Sequence, residues 1–260
     1  MPSPKQLIHR LVPEWYRAAA RRRVTDERFQ KEIEEHPDRA MVVRAQESSP
    51  ELFYVFQGRG MAMMMDPLTV LKECGLLRVN LVLLRDYYRF FYHAGLNRHI
   101  PDVDAVTRTL AEVRDGLTHV QNVNYLGTSA GGYAAILFGH RNKADMVYAF
   151  APQTLLNLRK LRRLTRRKDT SMFPEEHVDL AKLLANHNGV TRYRVFYCEG
   201  HARDRKFAER IAHLPGVELL PQPGDTHLVI QEMYKRGELK SMLPTAAAES
   251  ARSAPDPVDR

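Results

Sequence analysis

The segment Gly127-Thr128-Ser129-Ala130-Gly131 puts a serine between two glycines, after an apolar run and before a stretch of small apolar residues. A strand turning sharply into a helix at this point would strain the backbone of Ser129 and expose its hydroxyl. Gly127 and Gly131 would let strand and helix approach closely. The helix N-terminus would offer N–H groups and a partial positive charge to a developing oxyanion. A plain glycine-rich turn uses the same letters. The run before it and the stretch after it favour a nucleophile.

A serine hydroxyl is a weak nucleophile at neutral pH and needs a base. Among eleven histidines, His227 is the best placed, in Pro223-Gly224-Asp225-Thr226-His227, a turn just after the last apolar run. The base in turn needs an acid that fixes its tautomer and stabilises the imidazolium. Elbow-type serines are followed along the chain by the acid and then the histidine. Asp204 is the favoured acid, in Cys198-Glu199-Gly200-His201-Ala202-Arg203-Asp204, and Glu199 is its competitor. Asp225 is too near His227 in sequence to orient it easily. The bland alternatives are a surface histidine and an aspartate that complements a helix dipole.

These residues need a scaffold. Apolar runs over 41–45, 52–56, 79–84, 120–126, 146–150, 193–198 and 217–220 predict seven strands. Helical spacing predicts a helix from Val103 through Val113, with Pro101 and Asp102 as its start signals, and others over 130–138 and 203–214. Strands alternating with helices imply an α/β fold, a mainly parallel central sheet covered by helices on both faces. Ligands in such sheets sit beyond the C-terminal ends of the strands, where Ser129, Asp204 and His227 all fall. Residues 1–39 read as a basic helical appendage, 40–244 as the main domain, and 245–260 as a disordered tail. The longest insertion between strands is 153–190, and a connection that long has its own structure or function.

With this elbow, acid and histidine in this order, residues 40–240 resemble the α/β-hydrolase superfamily. Gly-Thr-Ser-Ala-Gly-Gly is similar to the nucleophile elbow of hormone-sensitive-lipase-like esterases. Those carry a His-Gly-Gly-Gly loop, whereas this chain has Gln57-Gly58-Arg59-Gly60. The resemblance implies an oxyanion hole from the backbone N–H groups of Arg59 and Ala130, and a short cap formed by the 153–190 insertion. Met61, Tyr87 and Tyr88, near strand ends, are the candidate substrate-binding residues. Most aromatic residues in that region are expected to pack in the core.

The implied activity is a serine hydrolase that cleaves a carboxylic ester through an acyl-enzyme, without a cofactor. Acyl transfer on the same fold, or a non-catalytic binding module, are the alternatives. Composition is ordinary for a globular protein: 260 residues, 44% hydrophobic and 27% charged. Net charge is +8, with six Lys or Arg between Met1 and Arg23 and seven between Arg159 and Lys168. A basic cap could draw an ester bearing an anionic group, and a solvated helix face is the plainer explanation. No zinc-finger, RRM or KH pattern accompanies the charge, so no nucleic-acid partner is expected. Neither a membrane-length apolar run nor a secretory leader is visible, and Cys74 and Cys198 make no disulfide framework. The expectation is a cytoplasmic protein with a small-molecule ester substrate, no stable membrane insertion, no metal-ligand cluster, and an oligomeric state left open.

Overall fold

A computed structural model describes Lys31, Glu35 and residues 39–60, 62–165 and 170–243. Most of the 1–39 appendage, the 245–260 tail and Met61 lie outside the described residues.

Seven strands form one sheet: β1 (Met41–Arg44), β2 (Glu51–Phe56), β3 (Asn80–Leu84), β4 (Asn122–Thr128), β5 (Met146–Phe150), β6 (Arg192–Cys198) and β7 (Val217–Gln222). Their order is β1-β3-β2-β4-β5-β6-β7. Only β1 runs antiparallel to its neighbour, pairing Met41 with Leu84 through Arg44 with Leu81. All the other pairs are parallel.

Alternate residues of each strand face opposite layers. Tyr54, Phe56, Val82, Leu84, Tyr125, Val147 and Val195 enter one core, while Phe53, Val55, Leu81, Leu83, Leu126, Tyr148 and Phe196 enter the other. The first core is closed by α2 (Val103–Asp115), α3 (Ala130–Arg141) and α6 (Leu180–Ala185), with Leu161 of α4 (Leu158–Thr165) and Ala208 of α7 (Ala202–Glu209). The second is closed by α1 (Pro67–Glu73), α8 (Val229–Lys235) and α9 (Leu239–Met242). With both faces covered, β2, β3 and most of β5 are buried along their length, which is why they read as unbroken apolar runs.

Local chemistry sets the element ends. The Asp102 carboxylate accepts the Ala105 N–H at 2.7 Å and caps α2, as its sequence position predicts. Strand β4 runs on to Thr128 rather than stopping at Leu126, so the chain reaches Ser129 while still extended. Strand β7 continues through Pro221, where a sequence reading ends it; β7 lies at the sheet edge, where a missing ladder donor is tolerated. The 153–190 insertion contains α4, the single turn α5 (Glu175–Val178) and α6. Among the described residues no helix is long and apolar enough to cross a membrane.

Candidate active site

Strand β4 lies at the middle of the sheet, between β2 and β5. At its C-terminal end Ser129 takes φ 53° and ψ −114°, a left-handed conformation costly for a residue with a side chain. Its N–H donates to the Phe150 carbonyl at 2.8 Å, which ties the elbow to β5. Two glycines make the turn possible. A Cβ on Gly127 would lie 2.0 Å from the Gly131 carbonyl oxygen, and one on Gly131 would lie 2.1 Å from that of Phe56.

His227 Nε2 lies 3.0 Å from Ser129 Oγ, and His227 Nδ1 lies 2.6 Å from Asp204 Oδ2. Three elements far apart in sequence meet here: the β4–α3 elbow, the first turn of α7, and the loop between β7 and α8. Asp204 is 1% exposed and His227 is 32% exposed, so the carboxylate is sequestered while the imidazole reaches solvent. A carboxylate on Nδ1 selects the tautomer with a proton there, leaving Nε2 with a lone pair toward the serine. Glu199 is exposed on the turn after β6, and its backbone carbonyl accepts from Arg205 Nη1 at 3.5 Å. Of the two candidate acids, the fold brings Asp204 to His227.

The Gln57–Gly60 turn is held beside the elbow. Gln57 N–H donates to the Leu84 carbonyl at 3.0 Å, and Gly58 N–H donates to Ala62 at 2.8 Å. A Cβ on Gly58 would sit 3.1 Å from the Thr128 carbonyl oxygen, one residue before the serine. Tyr92 Oη stands 3.0 Å from both the Gln57 and the Leu84 carbonyl oxygens. Arg59 is half-buried, and burial lowers the pKa of its guanidinium; Asp86 opposes that shift and Arg89 reinforces it.

The support behind this turn has little mark in the local sequence. Asp86, directly after Arg85 at the end of β3, is buried, and burial raises its pKa to about 6 against the pull of backbone N–H groups from Tyr92, Phe90, Phe91 and Arg89. The loop closes on that carboxylate through positive φ at Arg89, Phe91 and Tyr92. Its position at a parallel strand's C-terminal end was the available clue. His201 carries no local signal either: its Nδ1 lies 2.8 Å from Oδ2 of Asp204, one helical turn further along the chain. The expectation of no metal-ligand cluster does not anticipate this grouping of His201, Asp204 and His227, which the fold assembles.

The candidate substrate residues fare unevenly. Tyr87 is partly buried against the first core, with its hydroxyl 3.4 Å from the Arg39 carbonyl. Tyr88 is 37% exposed on the surface. Met61 lies outside the described residues.

The sheet order, the single antiparallel edge and the elbow after the central strand are those of the α/β-hydrolase fold. The fold is similar to that of a lipase-esterase related protein from Clostridium acetobutylicum, with a TM-score of 0.51 at 14% identity over 78% of this chain and 98% of that one. It is also similar to an α/β hydrolase enzyme from the sediment metagenome of the Mar Chica lagoon, Morocco (TM-score 0.51, 16% identity, 76% and 89% covered). Carboxylesterase CesB from Bacillus subtilis is a further structural neighbour (TM-score 0.50, 12% identity, 78% and 85% covered). No protein-family model and no curated protein matches the chain by sequence.

Proposed function

We propose that the chain is a serine hydrolase that cleaves a carboxylic ester of a small molecule through an acyl-enzyme. One observation carries this: His227 stands 3.0 Å from Ser129 Oγ through one ring nitrogen and 2.6 Å from buried Asp204 through the other. In this reading Ser129 Oγ attacks the ester carbonyl carbon while His227 Nε2 takes its proton. Asp204 holds the Nδ1 proton and stabilises the imidazolium that forms. The N–H groups of Arg59 and Ala130 receive the negative charge on the carbonyl oxygen. His227 then protonates the leaving alcohol. Water, deprotonated by the same nitrogen, attacks the acyl carbon and frees Ser129. The esterase and hydrolase names of the structural neighbours support the ester class.

A serine-directed fluorophosphonate probe tests the nucleophile directly. Labelling of the wild-type chain and none of Ser129→Ala is expected, together with turnover of a short-chain nitrophenyl ester by the wild type alone. Labelling that survives Ser129→Ala overturns the assignment.

A further inference from the structure

Two imidazoles converge on one carboxylate oxygen. His227 Nδ1 lies 2.6 Å and His201 Nδ1 lies 2.8 Å from Asp204 Oδ2. One ligand atom from each of His201, Asp204 and His227 lies within 4.8 Å of the other two. Asp204 is 1% exposed, yet its second oxygen, Oδ1, has no hydrogen-bond partner among the described residues. His201 Nδ1 is buried as well, and despite its short distance to Asp204 its angle makes no hydrogen bond. The two rings are tilted with centroids 5.8 Å apart, and their side chains are 28% and 32% exposed. A buried carboxylate therefore presents one oxygen to two ring nitrogens and leaves its other oxygen without a partner among the described residues, and solvent reaches both rings.

Two imidazole nitrogens and a carboxylate oxygen, with a fourth position for water, form the donor set of a zinc ion. We propose that His201, Asp204 and His227 form an inhibitory site for a divalent cation of the zinc class. This rests on the reading of His227 as the base for Ser129. Bonds of about 2.0–2.2 Å on a tetrahedron hold ligand atoms roughly 3.4 Å apart. Both nitrogen–carboxylate spacings, 2.6 and 2.8 Å, are shorter, so the rings swing outward by about 0.6–0.8 Å to admit the ion. Their partial exposure leaves room for that movement.

The consequence for the base follows from proton positions. The metal takes the lone pair of His227 Nδ1, and the proton held there goes to solvent. A neutral ring bound through Nδ1 carries its one proton on Nε2, which it takes from water. Nε2 then has no lone pair for the Ser129 proton, and Asp204 is engaged by the metal instead of the ring. The hydroxyl stays protonated and the nucleophile is off. Chelation of the metal reverses each step. His201 is the distinguishing residue, since a Ser–His–Asp set without it offers one nitrogen fewer.

Calorimetric titration of the full chain with zinc chloride tests the site without reference to turnover. Wild type and Ser129→Ala are both expected to bind one ion saturably. His201→Asn and His201→Gln should each bind about tenfold more weakly or worse, on the scale that altered ligand shells show. His213→Asn, on the exposed turn after α7, should bind as wild type does. Zinc should suppress ester turnover at the concentration that fills the site, measured against each variant's own metal-free rate, and EDTA should restore it. Equal binding by wild type and both His201 variants, or no saturable binding, overturns the site. Saturable binding without loss of turnover overturns its inhibitory role. Should the chain hydrolyse no ester at all, the hydrolase reading fails while the calorimetry still decides the metal site.

Discussion

The Cα of Gly131 sits so close to the carbonyl oxygen of Phe56 that a Cβ there would stand 2.1 Å from it. Phe56 ends β2 and leads into Gln57, while Gly131 lies in the first turn of the helix behind Ser129. The Ser129 elbow and the Gln57–Gly60 turn are thereby keyed together through bare backbone.

Gly131→Ala therefore forces the helix away from β2. A backbone clash of this kind should cost about 2 kcal/mol or more, beyond the usual surface substitution. Gly60→Ala is the control, since a Cβ there meets nothing within 4 Å. Thermal unfolding should show a clearly lower Tm for Gly131→Ala only. Equal melting of the two variants would mean that the contact is not constraining.

Ser129→Ala should abolish ester turnover and leave the fold intact. Losses on the order of 10⁴–10⁶ in kcat accompany removal of such a nucleophile. The side chain's hydrogen bond to His227 is part-buried, so its removal disturbs little packing. Turnover near the wild-type rate, with unchanged circular dichroism, would remove Ser129 from the mechanism.

The two acids should separate cleanly. Asp204→Asn can leave His227 in the wrong tautomer, a change worth about 10⁴ in kcat where the same dyad has been altered. Glu199→Gln should be near neutral, because that side chain is exposed on the turn after β6. Steady-state kinetics on both variants give the ranking, and a reversed order would transfer the orienting role to Glu199.

Much of this arrangement was legible in the sequence. Strands β2, β3 and β5 announce themselves, because strands covered on both faces need continuous apolar runs, while the edge strand β7 shows only a short one. The elbow is legible because its two glycines are sterically obligatory. The end of β4 is harder: Gly127 and Thr128 do not look like strand, yet the elbow needs them extended. The short helices α5 and α6 contain too few residues for a period to show. His201 and Asp86 escape for another reason. Their significance lies in what faces them, and nothing in local spacing reports that His227, 26 positions later, returns to the same carboxylate.

The basic insertion should bias substrate choice rather than chemistry. Arg159, Lys160 and Arg163 are exposed on α4, whose Leu161 is buried, while Arg162 Nη2 donates to Thr170 Oγ1 at 2.6 Å. Positive potential near a cleft concentrates anionic substrates, and salt screens it over about 8 Å at physiological ionic strength. Replacing Arg162, Arg163, Arg166 and Arg167 with Gln should raise KM for an anionic ester at low salt, leaving kcat and a neutral ester unchanged. Equal effects on both esters would mark the run as a solvated face.

Stability should depend on pH through two buried groups that pull in opposite directions. His93 is 1% exposed and stacks on Phe173 at 3.9 Å. Its Nδ1 lies 3.0 Å from the Phe91 carbonyl, and its Nε2 lies 3.2 Å from His177 Nδ1, whose Nε2 is 3.5 Å from Arg141 Nη1. With both rings neutral, every N–H in this chain finds an acceptor: Arg141 donates to His177, His177 to His93, and His93 to Phe91. An added proton leaves two donors facing each other. Burial and then the neighbouring His177 push the His93 pKa from 6.5 down to about 3. Above pH 6.5 the folded and unfolded chains are both neutral here. As pH falls from 6.5 toward 3, the unfolded chain takes up a proton that the folded one refuses, and stability drops by about 1.4 kcal/mol per pH unit. Asp86 has the opposite sign. Burial raises its pKa from 3.8 to about 6, so its contribution is full below 3.8 and is lost as pH rises through 6. Between about pH 4 and 6 the two slopes oppose, and single variants separate them. Urea unfolding at pH 7.5, 6, 5 and 4 should show His93→Gln gaining on wild type as pH falls, and Asp86→Asn losing to it over the same interval. Differences from wild type that stay constant across these four conditions would mean that neither group titrates between its folded and unfolded values.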